Sequence, residues 1–231
     1  MKLIRYGIIF RRVQKEDIEK LRQWRNSEDI RNKMIYKKYI TPEMQKEWFR
    51  TIEKSYHHSY YIINVKNKDI GLFNQKNFNI QGKITESGLF IVDPEYKTSY
   101  IPVIASLTMI QSSFFAMGET ESFVRTIKTN HEALNYNYSL GYEIFKEEKD
   151  FYILRMTPES FLRKTKKLRK AIRNLYGKSY LEIILEPIDF QLDYGYYFKN
   201  LMQKIPKHFV VKLTKTDNTF RLVADVDLAI C

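Results

Sequence analysis

Residues 95–107 read EYKTSYIPVIASL, a charged turn that leads through a proline into an uncharged apolar run. Pro102 suits the first turn of a helix, and the run, which continues to Ala116, is apolar on most sides, as is typical of a buried helix. Gly118 can end that helix. The stretch therefore predicts a buried helix whose exposed N-terminus follows the turn 97–99.

Strand and helix patterns alternate on both sides of this helix. Upstream, the patterns predict a first strand at 7–13, one or two amphipathic helices over 15–34, a helix over 41–54 with Thr41 as its cap, and an antiparallel meander of short strands over 60–92. Downstream, a strand, a short helix and a hairpin follow in turn up to residue 157. This order predicts a mixed α/β domain.

A second set of elements follows Pro158. The patterns predict a basic helix to about Tyr176, a strand over 180–186, a helix near 194–205, and a strand pair that ends with alternating apolar residues from Phe220 to Ile230. These elements predict a small C-terminal α/β unit, residues 158–231, beside the domain at 1–157. No flexible linker marks the boundary.

The composition is typical of a globular protein. The chain has 231 residues, of which 44% are hydrophobic and 29% charged, and no stretch reaches the roughly 18 apolar residues that a membrane span needs. The single cysteine, Cys231, excludes an internal disulfide and a cysteine zinc site. The first residues lack the pattern of a signal peptide. We therefore expect a soluble, cytoplasmic protein with no membrane span and no metal site.

The formal net charge of +12 predicts attraction to polyanions, namely nucleic acid, acidic lipid or a ligand with several phosphates. Eight lysines and arginines fall between residues 163 and 178 without any acid. Residues 158–178 could bind nucleic acid through this face. The simpler interpretation, which we favour, is a solvated surface helix whose apolar side packs on the parent domain.

The helix start near Pro102 has features of a phosphate site. A helix N-terminus presents unpaired N–H groups and the positive end of the helix dipole. Lys97 adds charge, and Thr98 and Ser99 add hydroxyls. An ordinary strand-to-helix turn is the alternative interpretation, since the stretch lacks a glycine-rich loop.

Residues 128–145, KTNHEALNYNYSLGYEIF, carry a pattern that favours the phosphate site. Together with the order of elements, the stretch resembles the late helix of the GNAT superfamily of acyl-CoA N-acyltransferases, which reads Asn, two variable residues and Ala, with Leu, Gly and an aromatic residue at its end. The matching positions are Asn130, Ala133, Leu140, Gly141 and Tyr142.

The first helices add to this resemblance. The segments LRQWRN (21–26), IRNKM (30–34) and ITPEMQKEWF (40–49) look like those of amino-sugar acetyltransferases and, more loosely, of ribosomal-protein acetyltransferases. The resemblance spans roughly residues 8–157. It implies a GNAT-like α/β (α+β) fold, with a mixed, mostly antiparallel twisted sheet flanked by helices, to which the small C-terminal α/β unit is added.

The resemblance also implies acetyl-CoA as co-substrate. The family binds the pyrophosphate of coenzyme A through a loop with two glycines, and Tyr100 and Pro102 stand at those positions here. Tyr100 adds bulk and Pro102 removes a donor, so phosphate binding would rely on the remaining amides of Ser99, Tyr100, Ile101 and Val103. The residues implied for cofactor binding are Phe90, Val92, Lys97, Thr98, Ser99, Tyr100, Ile101, Val103, Asn130 and Asn137.

In the family the first helices form one wall of the acceptor site. The resemblance therefore implies Trp24, Arg25 and Asn26 as substrate-binding residues, with Trp48 nearby. Core packing is the alternative for the two tryptophans. A capping or salt-bridging pair at a helix end is the alternative for Arg25 and Asn26.

Amine acetylation needs a base for the amine proton and a proton for the leaving thiolate. The resemblance implies Glu86, at the start of ESGLFIV, as the general base, with an exposed strand-end carboxylate as the alternative. In many family members a tyrosine at the position of Asn137 protonates the thiolate. Tyr138 and Tyr136 lie nearby in the sequence, and the acid is therefore absent, replaced by Tyr138, which is our candidate, or supplied by water.

Three readings of function follow. The first is an N-acyltransferase that moves an acetyl group from acetyl-CoA to the primary amine of a small molecule, with a nucleotide-linked amino sugar as the expected acceptor. The second is a basic nucleic-acid-binding module. The third keeps the GNAT fold without catalytic activity, as the residues Tyr100, Pro102 and Asn137 suggest. Residues 158–231 could shape the acceptor site, contact a second copy in a homodimer, or recognise a carrier.

Overall fold

The computed structural model of the chain describes residues 1–55, 57–79, 84–191, 193–216 and 219–227. Residues 80–83, which belong to the predicted meander, lie outside the described residues, as do Cys231 and the end of the predicted last strand, residues 228–230. Within the described part of the chain, no helix is long and apolar enough to cross a bilayer.

The described strands form one sheet of eleven strands in the order β10-β11-β9-β1-β2-β3-β4-β5-β6-β8-β7. They are β1 (Lys2–Arg5), β2 (Ile8–Arg12), β3 (His58–Val65), β4 (Lys68–Asn79), β5 (Ile84–Ile91), β6 (Glu121–Ile127), β7 (Glu143–Glu147), β8 (Phe151–Met156), β9 (Leu181–Leu185), β10 (Val210–Lys215) and β11 (Phe220–Ala224). Neighbouring strands run antiparallel except β5 and β6, which are parallel. The predicted mixed, mostly antiparallel sheet is confirmed.

Eight α-helices flank this sheet in the described residues. They are α1 (Ile18–Asn26), α2 (Glu28–Arg31), α3 (Pro42–Glu53), α4 (Pro94–Lys97), α5 (Ile101–Gln111), α6 (His131–Leu140), α7 (Pro158–Tyr176) and α8 (Asp193–Met202). The predicted helix over 41–54 is confirmed as α3, and the Thr41 side chain accepts a hydrogen bond from the Met44 N–H at its N-terminus.

The helix predicted from the opening stretch is α5, which is buried from Ile104 to Gln111. It continues as a π-helical turn over Ser112–Ala116. Gly118 follows with a φ of 70°, a left-handed conformation that suits glycine. The apolar pattern of the run therefore predicted both the helix and its burial.

Two hydrophobic clusters lie on opposite faces of the sheet. Helices α1 and α3 cover one face, where Leu21, Phe49 and Ile52 pack on Ile62 and Leu72. Helices α5, α7 and α8 cover the other face and contribute to the larger cluster. The sheet between them carries side chains of alternate residues to each face.

The first strand is a hairpin rather than the single strand predicted at 7–13. Tyr6 and Gly7 turn the chain between β1 and β2 with φ angles of 51° and 74°. The strand β1 then pairs with β9, and β9 pairs with β11. Strands that follow residue 157 thus extend the same sheet, which explains the lack of a linker there, and the boundary near 157 stays a prediction.

The parallel pair β5 and β6 is joined over only three residue pairs. Ile84 lies opposite Glu121, Thr85 opposite Ser122, and Glu86 opposite Phe123. Beyond Glu86 the two strands no longer pair, although both continue. The sheet therefore opens at its middle, between two strands that are paired normally on their outer sides.

Candidate functional site

A cleft of about 880 Å³ occupies the opening between β5 and β6. Its floor is β5 from Glu86 onward and β6 from Val124 onward. One wall, the α1–α3 side, comes from α1, α3, strand β3 and the loop that precedes α3. The other wall, the α5–α6 side, comes from the turn 97–99, the start of α5, and α6. A cavity of this size can hold a cofactor-sized ligand together with a small molecule.

Most of the predicted site residues line this cleft. Those in the lining are Arg25, Glu86, Phe90, Lys97, Thr98, Ser99, Val103, Asn130 and Asn137. Those outside the lining are Trp24, Asn26, Val92, Tyr100, Ile101 and Tyr138. Because the elements that carry the first set are distant along the chain, the fold itself gathers them.

Glu86 lies at the vertex of the cleft and is only 7% exposed. Its Oε1 accepts a hydrogen bond from Nε of Arg125 at 2.8 Å. Its Oε2 is buried and has no hydrogen-bond partner among the residues that the structure describes. The alternative of an exposed strand-end carboxylate is therefore wrong. A buried unpaired carboxylate oxygen beside a cleft is a feature of functional sites.

Arg125 was not among the predicted site residues. Glu86 is the last paired residue of β5, and Arg125 lies on β6 two residues beyond Phe123, where the two strands diverge. The sequence contains no local signal for this contact, because the two residues are separated by α5 and 38 intervening residues.

Arg25 lies on the α1–α3 side and is half-buried. Burial lowers the pKa of its guanidinium. No carboxylate lies within ion-pair distance of Arg25 in the described ranges, and its side chain makes no hydrogen bond there. A desolvated cation without a partner is costly, so this position calls for a functional explanation.

Trp24 and Asn26, the neighbours of Arg25, have structural contacts instead. Trp24 packs against the hydrophobic cluster that contains Leu21 and Phe49. Asn26 bonds both main-chain groups of Ile40: its Nδ2 donates to the Ile40 carbonyl oxygen at 2.8 Å, and its Oδ1 accepts from the Ile40 N–H at 2.8 Å. Asn26 therefore fixes the end of the loop before α3.

Tyr60, Trp48 and Gln45 complete the α1–α3 side. The rings of Trp48 and Tyr60 meet edge to face with centroids 4.9 Å apart. Burial raises the pKa of Tyr60. Gln45 is 5% exposed, and its amide has no partner in the part of the chain that the structure describes.

The turn before α5 offers fewer free amides than predicted. The Ser99 N–H donates to the Tyr96 carbonyl oxygen and the Ile101 N–H donates to Ser99 Oγ, each at 3.1 Å. The amides of Tyr100 and Val103 remain, since neither is bonded to any acceptor in the described residues. Two of the four predicted donors are therefore available.

The substitutions at the glycine positions do not close the site. The Tyr100 ring is 68% exposed and does not line the cleft. Tyr100 has a φ of −75°, in the right-handed helical region. A backbone in this region does not require glycine, so the turn forms without strain.

On β5, the residues that present main-chain groups to the cleft differ from those predicted. The Val92 N–H donates to the carbonyl oxygen of Ile70 on β4 at 2.8 Å. Main-chain groups alternate between the two edges of a strand, so those of Phe90 also face β4. The groups of Leu89 and Ile91 therefore face the open side, one residue away from the predicted pair.

Helix α6 supplies polar side chains that have partners within the protein. Asn130 caps the helix by accepting the Ala133 N–H at 3.2 Å. Asn137 Nδ2 donates to Thr126 Oγ1 at 3.0 Å. Neither side chain ionises at ordinary pH, so Asn137 cannot act as a general acid.

The tyrosine of α6 that lines the cleft is Tyr136. Its hydroxyl bonds to the Pro102 carbonyl oxygen at 2.9 Å and to Ser106 Oγ at 2.7 Å, and burial raises its pKa. Tyr138 packs against the large hydrophobic cluster outside the cleft lining. Its position does not favour the acid role that the sequence suggested.

An ion-pair bridge, formed by Asp29, Lys33, Lys97 and Glu132, joins the two walls at the cleft mouth. Lys97 Nζ lies 2.6 Å from Asp29 Oδ2, and Lys33 Nζ lies 3.1 Å from Glu132 Oε2. The hydrogen bond from Lys97 holds the pKa of Asp29 below its ordinary value. The charge predicted to attract phosphate is therefore paired within the protein.

Comparisons with known proteins find the same fold and no relative by sequence. No protein-family model and no curated sequence matches the chain. The structure of apo FdhC, a nucleotide-linked sugar GNAT, matches with a TM-score of 0.61 at 19% identity, over 74% of this chain and 97% of that one. The resemblance to the GNAT fold is thereby confirmed.

Two further structures with this fold contain bound molecules. The Campylobacter jejuni N-acetyltransferase PseH, in complex with acetyl coenzyme A, matches with a TM-score of 0.51 at 19% identity over 65% of this chain and 99% of that one. A Vibrio cholerae spermidine N-acetyltransferase, in complex with CoA and spermine, matches with a TM-score of 0.57 at 13% identity, over 68% of this chain and 98% of that one. Since these proteins are covered almost completely, this chain carries additional residues beyond the shared fold.

Proposed function

We propose that this chain is an N-acetyltransferase that moves an acetyl group from acetyl-CoA to the primary amine of a nucleotide-linked amino sugar. The observation that carries the proposal is Glu86, a buried carboxylate at the vertex of the cleft with one oxygen unpaired among the described residues. A positioned carboxylate is the group that amine acylation needs as a base.

The α5–α6 side has groups that fit coenzyme A. The free amide of Val103 and the hydroxyl of Thr98 line the cleft and are suited to a pyrophosphate at the start of α5, whereas the Ser99 hydroxyl already donates to the Tyr96 carbonyl oxygen at 2.7 Å. The open edge of β5, at Leu89 and Ile91, is suited to the amide groups of the pantetheine arm. When bound, acetyl-CoA supplies the acyl group as a thioester.

Glu86 accepts the proton of the acceptor ammonium, directly or through one water, and leaves a neutral amine that can attack the acyl carbon. The ion pair with Arg125 keeps the Glu86 carboxylate in one orientation. A C–N bond forms, the C–S bond breaks, and the amine loses its second proton to solvent. Water protonates the departing thiolate, because Asn137 carries no acidic proton and the Tyr136 hydroxyl is bonded to α5.

The acceptor class rests on the resemblance to amino-sugar acetyltransferases and on the fold shared with FdhC. The test is incubation of the full chain with acetyl-CoA and a panel of amines, followed by mass spectrometry for the gain of one acetyl group. The panel contains nucleotide-linked amino sugars, ribosomal proteins and polyamines. We expect acetylation of a nucleotide-linked amino sugar and its loss in Glu86→Gln.

The third reading, a GNAT fold without activity, predicts a different result in the same experiment. Calorimetry would then detect acetyl-CoA binding, while no amine in the panel gains an acetyl group. Asn137 in place of an acidic residue is the observation that favours this reading. Acetyl transfer by the wild-type chain, which has Asn137, would exclude the reading without activity.

A nucleic-acid role remains the second candidate function, and helix α7 is the observation that favours it. Lys166, Lys167, Lys170 and Arg173 are exposed on α7 and form no ion pair with any described residue. The opposite side of α7, with Phe161 and Ile172, is buried in the core. If this face binds nucleic acid, affinity must fall steeply with salt, whereas affinity for acetyl-CoA should change far less.

A further inference from the structure

On the α1–α3 side of the cleft, the guanidinium of Arg25 has no carboxylate partner among the residues that the structure describes. Three other arginines near the cleft floor and the first helices have carboxylate partners: Arg11 pairs with Asp17, Arg22 with Glu19, and Arg125 with Glu86. Arg25 is half-buried and lines the cleft, yet no described carboxylate pairs with it. We infer that Arg25 binds an anionic group, phosphate or carboxylate, on the acceptor molecule itself.

This inference rests on the proposed function, and it narrows the acceptor to molecules that carry both an amine and an anion. Guanidinium binds phosphate and carboxylate through two parallel hydrogen bonds. In a half-buried site that interaction is stronger than in water, because the guanidinium is already partly desolvated. A polyamine has no group for Arg25 and would meet like-charge repulsion there.

The cofactor phosphates do not explain Arg25. The groups suited to pyrophosphate lie at the start of α5, and α5 belongs to the hydrophobic cluster on one face of the sheet. Arg25 is carried by α1, which packs on the opposite face. The anion at Arg25 therefore reaches the cleft from the α1–α3 side, where the acceptor must approach.

Exposure along the α1–α3 side increases from the vertex outward. Glu86 is buried at the vertex, Tyr60 lines the same cleft, and Arg25 is half-buried. The lining then ends in exposed apolar side chains, Tyr36 and Met44 among them, that are 44% and 42% exposed. This series matches an acceptor whose amine is innermost, whose anion lies at Arg25, and whose apolar or planar part lies at the mouth.

Gln45 adds a neutral polar group to the same wall. Gln45 as a whole is 5% exposed and lines the cleft, and its amide has no partner in the described chain. An amide can both donate and accept, so it suits the hydroxyl groups of a sugar between amine and anion. Arg25 remains the group that selects by charge.

Binding of the anion can be measured without any acyl transfer. Uridine diphosphate is the phosphate probe, because it lacks the adenine of coenzyme A, and glucuronate is the carboxylate probe. Calorimetry on the full chain compares wild type, Arg25→Met, Arg25→Lys and the control Arg50→Met, whose arginine is an exposed residue of α3 paired with Glu47. Arg25→Met should weaken the preferred probe about 30-fold or more, Arg25→Lys less, and Arg50→Met not at all.

The outcome separates the sources of the anion. Arg25-dependent binding of uridine diphosphate alone assigns a phosphate, and Arg25-dependent binding of glucuronate alone assigns a carboxylate. Binding of neither probe, or binding that Arg25→Met leaves unchanged, overturns the inference. Arg25→Met should unfold at a temperature no lower than wild type, since it removes an unpaired cation, so lost binding is not explained by misfolding.

The same variants distinguish this inference from the proposed function. If no amine is acetylated but uridine diphosphate still binds through Arg25, the acyltransferase assignment fails and the anion site stands. If acetyl transfer occurs and spermidine is as good an acceptor as an anionic amino sugar, the enzyme stands and the anion site fails. With both correct, Arg25→Met raises KM for the anionic acceptor about 30-fold or more and leaves KM for acetyl-CoA unchanged.

Discussion

The two walls of the cleft differ in how they treat their polar groups. On the α5–α6 side, Asn130 caps its own helix, Asn137 bonds to β6, Tyr136 bonds to α5, and Lys97 pairs with α2. These side chains are satisfied without a ligand. That wall is therefore preformed, and it offers a ligand mainly main-chain amides and hydroxyls.

On the α1–α3 side, the guanidinium of Arg25 and the amide of Gln45 have no partner among the described residues, and at the vertex one buried carboxylate oxygen of Glu86 has none either. A buried polar group without a partner lowers the free energy of unfolding, so the Glu86 oxygen in particular calls for a ligand. The comparison indicates that specificity and chemistry depend on the α1–α3 side, and that the α5–α6 side mainly holds the acyl donor.

Glu86→Gln should give the largest fall in kcat, and a normal kcat would contradict the difference inferred between the two walls. The amide keeps the shape of the side chain and cannot accept the amine proton, so kcat should fall by about 10²- to 10³-fold. The loss should shrink at alkaline pH, where more of the amine is already neutral. Steady-state kinetics across pH checks this.

The matched control is Glu121→Gln on β6, which removes a carboxylate from a strand end outside the cleft lining. We expect it to leave kcat close to wild type. Equal activity in Glu86→Gln and Glu121→Gln would remove Glu86 from the reaction.

Tyr136→Phe tests whether the α5–α6 side positions acetyl-CoA without taking part in proton transfer. The change removes two hydrogen bonds between α6 and α5, so the free energy of unfolding should fall by about 1–2 kcal/mol and KM for acetyl-CoA should rise several-fold. Because burial raises the pKa of Tyr136, its hydroxyl stays protonated and the pH profile of kcat should keep its shape.

Tyr138→Phe addresses the acid directly, in the same assay. If water protonates the thiolate, the variant keeps the alkaline limb of the wild-type pH profile. Loss of that limb would return the acid role to Tyr138 despite its place outside the cleft lining.

Glu119 bonds to Thr85, the neighbour of Glu86, and should make the free energy of unfolding depend on pH. Its carboxylate accepts hydrogen bonds from Thr85 Oγ1 at 2.7 Å and Gln75 Nε2 at 2.8 Å, and burial raises its pKa to about 7. Between pH of about 4.5 and about 7, the folded state then holds a proton that the unfolded state has lost. Its contribution to stability is therefore full at the acidic end and declines as pH rises through this window.

Glu119→Gln removes that titration. The melting temperature of wild type relative to Glu119→Gln should fall by a few degrees as pH rises from about 5 to about 7, and then stay constant. Calorimetric melting curves at a series of pH values measure it. A difference that is constant across the series would contradict the raised pKa.

Asp29→Asn should give the smallest effect, a change in the affinity for acetyl-CoA on the α5–α6 side. It releases Lys97 from the ion-pair bridge, so the affinity for acetyl-CoA should rise about two- to fivefold at low salt and less at high salt, as expected for an exposed pair. Glu47→Gln, which breaks an exposed pair with Arg50, is the control for the change in net charge. Tighter binding in both variants would mean that net charge alone is responsible.

Several site residues could be predicted from sequence because a local pattern marked them. The turn 97–99 was predicted from its place at a helix start, whereas Asn130 and Glu86 were predicted from the resemblance to the GNAT superfamily. Of the predicted residues on β5, Phe90 lines the cleft and Val92 does not, and which main-chain groups face the open side depends on which edge pairs with β4. The acid role of Tyr138 stays a prediction, although Tyr138 lies outside the cleft lining, because one residue turns a helical side chain by about 100°.

The amino-acid sequence by itself determined the alternation of strands and helices, the burial of α5, the capped start of α3 and the pattern of α6, since each depends on residues close together in the chain. Only the tertiary structure decided that β5 and β6 part after Glu86, that Arg125 pairs with Glu86, and that Arg25 has no partner in the described residues. The physical reason is that the effect of a charge depends on what surrounds it in space, and those neighbours come from strands and helices far apart in sequence.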